Sequence, residues 1–170
     1  MAELAQRFPK DTQIVVDTGS HRRWLMHGLK LKTGQRVYQS AGLASMGYAL
    51  PASIGIHHAL KTPVISINGD GGIMMNLQEM QTIAREKLPI TVFVFNNHEL
   101  GDIMEFQKRI FDGHYIAVTE SSGYLAADYA GIARAFGFEY AKIDDVNGLD
   151  NINFACEQPR LIEIVIPRNE

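Results

Sequence analysis

Apolar residues gather in short blocks along this chain, separated by stretches with a different rhythm. The blocks at 14–17, 64–68, 91–95, 139–142 and 161–166, with a further one at 37–40, are of strand length and rich in β-branched or aromatic residues. Between them, residues 51–60, 76–85 and 128–136 place apolar side chains at helical spacing, and 149–156 is a further helix candidate. Strands alternating with helices predict an α/β fold, a parallel β-sheet sandwiched between helices and built through right-handed crossovers. Residues 98–123 keep no steady period and are long for a loop inside a domain, so a short helix around 103–110 is expected to interrupt them.

Composition narrows this picture. A chain of 170 residues with 46% hydrophobic content can bury one sizeable core, so residues 1–170 are expected to form a single domain. With 16 basic and 19 acidic residues, the net charge of −3 gives no electrostatic case for nucleic acid or an anionic membrane. Cys156 is the only cysteine, which excludes an intrachain disulfide and a cysteine-based zinc site and fits a reducing, cytoplasmic compartment. No charged-then-apolar leader and no apolar run of 18 residues is present, so neither secretion nor membrane insertion is expected.

The stretch VISINGDGGIMMN, residues 64–76, runs from an apolar block into Asn-Gly-Asp-Gly-Gly. Asn-Gly and Asp-Gly are hairpin signals, but a hairpin needs a second strand. Leu77, Met80, Ile83 and Ala84 instead recur near the helical period. Strand, glycine-rich turn and helix then follow one another, which sets backbone N–H groups at the carboxyl end of a parallel strand, where open α/β sheets bind ligands. A dinucleotide fingerprint would need glycine at Met74, and the Gly-Lys-Ser/Thr of a P-loop is absent.

Asp70 either caps the following helix or ligates a cation. The next block ends in Asn96-Asn97, so a carboxylate and a carboxamide stand 27 positions apart at the carboxyl ends of two strands of one crossover unit. Magnesium takes oxygen ligands and is usually held by one or two side chains plus ligand phosphates, which suits Asp70 and Asn97. An ordinary turn after a strand is the alternative for the asparagine pair.

GDG followed at this distance by NN resembles the diphosphate-binding motif of thiamine diphosphate enzymes. The string GDGGIMMNLQEMQTIAREKLPITVFVFNN is similar to that of the acetolactate synthase and 2-oxo acid decarboxylase group. GLASMGYALPASIG at 42–55 resembles that group's GLGTMGFGLPAAIG, and TGSHRRW at 18–24 resembles its GQHQMW, so the likeness runs from about residue 14 to 166. The resemblance implies that Asp70 and Asn97 bind magnesium through side chains and Glu99 through its carbonyl. It implies that Gly69, Gly71 and Gly72 cradle the diphosphate, with Gly101 in the same motif, and that Gly19, Ser20 and His21 flank the diphosphate's far end, Ser20 replacing a glutamine. Met46 would support the cofactor's bent conformation, unless it is plain core packing. The Ala44 carbonyl would accept from the aminopyrimidine, alanine replacing the usual glycine. The thiazolium would do the carbanion chemistry, with the protein supplying orientation and electrostatics.

In the resembled family the activating glutamate comes from a separate pyrimidine-binding domain, which this chain is expected to lack. The chain is therefore expected to be a split subunit, as in sulfopyruvate decarboxylases, or a fragment of a longer enzyme. Alone it should turn over little, and it should expose an apolar face that favours oligomers or a partner chain acting on a 2-oxo acid. The family's GMVxQWQ stands here as GDIMEFQ, residues 101–107, with Asp102 for methionine and Phe106 for tryptophan, which questions authentic acetolactate synthesis. Asp102 either alters the reacting centre or is a solvated loop residue. His98 and His114 are acid/base candidates or plain loop histidines. Phe106, Ile110, Phe111 and Tyr115 line a pocket, bind the partner domain or form local core, and His57-His58 read as surface positions of a helix. Competing functions are a non-catalytic cofactor-binding module and a flavodoxin-like phosphate-binding domain matched by architecture alone.

Overall fold

Each apolar block becomes a strand of one sheet in the computed structural model, which describes residues 1–155 and 157–168. The strands are β1 (Gln13–Val16), β2 (Val37–Gln39), β3 (Val64–Gly69), β4 (Ile90–Asn96), β5 (Glu139–Ile143) and β6 (Arg160–Val165), in the order β2-β1-β3-β4-β6-β5. All five pairings are parallel, with Val16 opposite Ile67 and Gly69 opposite Phe95. The expected α/β architecture is therefore the observed one, and residues 64–76 make no hairpin.

Side-chain alternation explains the layers. Val15, Val92 and Val94 face one core, closed by α3 (Ala49–Leu60), α5 (Glu79–Arg85) and α7 (Tyr129–Phe136). Ile14, Val16, Phe93 and Phe95 face the opposite core, closed by α1 (Ala2–Arg7) and α2 (Ser20–Gly28). Residues of α3, α5 and α7 match the predicted helices, including Met80 and Ile83, which are fully buried. Neither α1 nor α2 was visible in the pattern, because α2 buries only His21 and Leu25 amid polar neighbours.

Two local outcomes differ from the sequence reading. The helix after the glycines starts at once as α4 (Asp70–Ile73), tightens into a 3-10 turn over Met74–Asn76, and resumes as α5. Leu77 and Gln78 stay right-handed, so the hydrogen-bond pattern changes without a change of course. The helix expected at 149–156 is instead a 3-10 segment, Val146–Asn151, because the Asp145 carboxylate caps the N–H groups of Asn147 and Gly148 at 2.8 and 3.1 Å and only Leu149 is buried within it. Cys156 lies outside the described residues.

The irregular stretch has more order than its sequence suggests. It contains α6 (Gly101–Ile110), and the Gln107 side chain brackets Ile116, accepting its N–H at 2.9 Å and donating to its carbonyl at 3.2 Å. A short 3-10 turn over Glu120–Ser122 follows, opened by a reciprocal Thr119–Ser122 capping box. No helix among the described residues is long and apolar enough to cross a membrane.

Candidate functional site

Three neighbouring strands, β1, β3 and β4, end on the same edge of the sheet, and chain order reverses between β1 and β3. A cavity of about 350 Å³ opens there. Such a reversal leaves a crevice at the carboxyl ends of the strands. Gly19, Ser20 and His21 reach it from the start of α2, Ala44 and Met46 from the segment before α3, Gly69, Asp70, Gly71 and Gly72 from the β3–α4 junction, and Asn97, Glu99 and Gly101 from beyond β4. All the cofactor and metal residues that the resemblance implies line this one cavity.

Asp70 is the buried centre of it. Its Oδ1 accepts the Gly71 N–H at 2.8 Å and its Oδ2 accepts the Glu99 N–H at 3.2 Å, so the carboxylate bridges the β3 and β4 ends and does not cap a helix in the usual manner. Burial pushes the Asp70 carboxyl up to about 6, against the lowering effect of bonds from Gly71, Tyr124 and Glu99. A buried carboxylate held this way gains from a cation. Asn97 and Glu99 are buried beside it, with Asn97 Nδ2 3.4 Å from Glu99 Oε2, which leaves the Asn97 carbonyl oxygen outside that contact. Among the described residues no group of three or more His, Cys, Asp or Glu is arranged to hold a metal ion, so an ion here would need backbone or ligand oxygens as well.

Space is tight at the glycines, and the obstacles differ. A Cβ on Gly72 would meet Asp17 Oδ2 at 2.6 Å, and one on Gly71 would meet Leu100 Cδ2 at 2.2 Å. Asp17, fully buried just past β1, has a further task. Its carboxylate accepts N–H groups from Thr18 at 2.9 Å, Gly47 at 2.8 Å and Tyr48 at 3.2 Å, which pins the 42–48 segment to the sheet. Asn76 Nδ2 donates to the Gly47 carbonyl at 2.9 Å from the other side. Ala44 in that segment has φ 51°, the left-handed region where glycine is at ease, and Met46 is half-buried on the cavity wall, its Cε 3.4 Å from the position of a Cβ on Gly71.

His21 stacks on Phe95, ring centres 6.1 Å apart and planes within 8°, and its Nε2 is buried with no partner. Burial depresses its pKa to about 4, so a neutral ring faces the cavity. An orphaned ring nitrogen and a glycine-lined floor suit a bound polar group, such as a diphosphate, better than they suit an empty cleft.

Other candidates separate by place. His98 and His114 do not line the cavity; His98 adopts φ 59° with its N–H on Asn96 Oδ1 at 2.9 Å, and His114 is exposed. Phe106 does line it, while Ile110 and Phe111 are exposed beyond it, so this group is not local core. His57 bonds the Thr62 carbonyl and His58 pairs with Glu86, as surface positions of α3. Asp102 is no solvated loop residue: Ser20 Oγ donates to its Oδ1 at 2.5 Å and Arg23 pairs with it at 2.8 Å. Sequence reasoning missed Asp17, Asn76, Tyr124 and Tyr129, whose hydroxyl donates to the Asp70 carbonyl at 2.9 Å. Only Asp17 carried a signal, as the charge closing an apolar block.

Comparison with known proteins follows the same outline. The family model described as "Thiamine pyrophosphate enzyme, C-terminal TPP binding domain" matches residues 17–164. The probable acetolactate synthase large subunit of Methanococcus aeolicus is 32% identical over 163 residues, covering 92% of this chain and 26% of the relative. The acetolactate synthase large subunit of Parasynechococcus marenigrum (strain WH8102) is 34% identical over 165 residues, 94% of this chain and 26% of the relative. Acetolactate synthase isozyme 2 large subunit of Escherichia coli (strain K12) is 29% identical over the whole of this chain and 31% of its own length. The chain spans about a quarter to a third of these curated relatives.

Proposed function

The chain belongs to the thiamine pyrophosphate enzymes, matching their C-terminal TPP binding domain, and on that premise we propose that it binds magnesium and the diphosphate of thiamine diphosphate as one half of a 2-oxo acid decarboxylase or carboligase. The observation that carries this reading is the Asp70–Glu99 link, which draws the acidic turn after β3 and the asparagine turn after β4 onto one cavity. Asp70 and Asn97 would hold the cation through side-chain oxygens and Glu99 through its carbonyl, with Gly71 and Gly72 leaving room for a diphosphate to approach the backbone. Neutral, unpartnered His21 Nε2 supplies a polar contact to the same group, and Met46 supports the ring system from the wall. When bound, the thiazolium supplies the carbanion chemistry; this chain binds, orients and shields.

Of the carboxylates lining the cavity, Asp70 is assigned to the cation, Glu99 lies against Asn97 and Asp102 pairs with Arg23, and the chain matches only part of its relatives, so the activating glutamate is assigned to a pyrimidine-binding domain on a partner chain or elsewhere in a longer polypeptide. Leu43 and Leu125, 95% and 79% exposed, give that partner or an oligomer apolar surface to cover. The composition argues for a reducing, cytoplasmic setting.

Calorimetric titration of thiamine diphosphate, with and without magnesium and with the pyrimidine-binding partner added, tests the reading. Magnesium-dependent binding that Asp70→Ala and Asn97→Ala abolish is expected. Binding that ignores magnesium and both substitutions would overturn the metal assignment, and cofactor binding without turnover in the complete assembly would favour a non-catalytic module.

A further inference from the structure

Beside Gly19 and Gly101, the wall of the cavity carries a charge network joining three residues. Ser20 Oγ donates to Asp102 Oδ1 at 2.5 Å, Arg23 Nη2 donates to the same Oδ1 at 2.8 Å and to Ser20 Oγ at 3.0 Å, and Arg23 Nη1 donates to Asp102 Oδ2 at 3.1 Å. Ser20 and Asp102 line the cavity, while Arg23 does not and stands behind them. The carboxylate of a lining residue is thus charge-balanced by an arginine outside the lining. Oδ1 takes two donors, but Oδ2 takes Arg23 alone and keeps capacity for one more. Beside it, Ile103 and Phe106 are 44% and 47% exposed and make the adjoining wall apolar.

We propose, resting on the functional reading above, that Asp102 is a specificity-determining residue selecting 2-oxo acids whose side chain carries a hydroxyl or other hydrogen-bond donor. The chemistry of the wall excludes the other two classes. A short aliphatic side chain pressed on this carboxylate strips its remaining acceptor of water and returns nothing, and a second anionic group meets a like charge whose counter-ion lies on the far side. A hydroxyl replaces the lost water directly. The network also fixes the wall: Arg23 and Ser20, on α2, hold the first turn of α6 through one side chain, so the acceptor is pre-positioned before a substrate arrives.

The test uses the enzyme assembled from this chain, its pyrimidine-binding domain, thiamine diphosphate and magnesium. Calorimetry first records cofactor binding, then the dissociation constants of two unreactive probes, glycerate and lactate, and kcat/KM is compared for hydroxypyruvate and pyruvate. Wild type is expected to prefer the hydroxylated member of each pair by about tenfold or more, the range of a hydrogen bond to a charged acceptor. Asp102→Met should erase the preference in both readouts, and Asp102→Asn, which keeps the shape, should reduce it. Equal affinity for both probes, preference for the unsubstituted one, binding of neither, or a preference that survives both substitutions overturns the proposal. Absence of cofactor binding in wild type overturns the functional reading and this proposal with it, and is seen separately in the first titration.

Discussion

The backbone N–H of Glu99 donates to Oδ2 of Asp70 at 3.2 Å, a single bond that ties two loops 29 residues apart into one floor. Removing the acceptor frees that amide. Asp70→Ala is expected to lower hydrogen-exchange protection at Glu99 by about tenfold or more, since a hydrogen bond to a charged group contributes on the order of 1.5–3 kcal/mol. Unchanged protection in the variant would mean that the loop is held by other contacts.

His21 makes stability depend on pH. Burial, reinforced by Arg22 and Arg23, depresses its folded pKa to about 4 from an ordinary 6.5, against the raising effect of Asp102 and the Asp17 backbone. Between those values the unfolded chain binds the extra proton, so its contribution is full above pH 6.5 and lost as pH falls toward 4. The loss reaches at most about 3 kcal/mol. His21→Leu keeps packing on Phe95 and should remove this component, so the wild-type minus variant difference in urea unfolding shrinks from pH 7 to pH 4.5. A constant difference would contradict the neutral, buried ring.

Two adjacent glycines should respond differently to alanine. At Gly72 the new methyl meets Oδ2 of the Asp17 carboxylate, which the Gly47 N–H holds at Oδ2 and the Thr18 and Tyr48 N–H groups hold at Oδ1, so Gly72→Ala should cost about 1–3 kcal/mol as the 42–48 segment loosens. At Gly71 the obstacle is the end of the Leu100 side chain, which can turn away into the cavity. Gly71→Ala should therefore retain most of its stability and lose cofactor affinity. Thermal unfolding and calorimetry on the two variants separate these outcomes, and equal destabilisation would refute the distinction.

Behind the asparagine turn, Glu163 lies buried in β6 and accepts from Asn96 Nδ2 at 2.7 Å and from the Tyr140 hydroxyl at 2.5 Å, while Asn96 Oδ1 holds the His98 N–H. Tyr140→Phe leaves Glu163 Oε2 without that donor. A loss of about 1–3 kcal/mol in urea unfolding is expected, because a buried charged acceptor is left unsatisfied. A neutral result would show that water takes the place of the hydroxyl.

The order of strands and helices was legible because burial on a sheet or helix face imposes its own period: Ile14, Val15 and Val16 alternate between two cores, and Met80 and Ile83 return to one. The motif residues Asp70 and Asn97 were legible too, since each directly follows a strand whose apolar run announces it. Helix α2 was not, because its inward residues are one histidine and one leucine among polar neighbours, and no hydrophobic stripe marks them.

By itself, then, the sequence determined the α/β class, the strand positions, and the acidic and asparagine residues that follow two of the strands, all properties that short-range periodicity and spacing encode. Tertiary structure alone decided that β1 lies beside β3, and therefore that Asp17 reaches Gly47 and Tyr48, and that Arg23 reaches Asp102. Those meetings join residues 30 to 79 positions apart. No local pattern specifies them, because which strand pairs with which is set by how the two faces of the whole sheet are buried together.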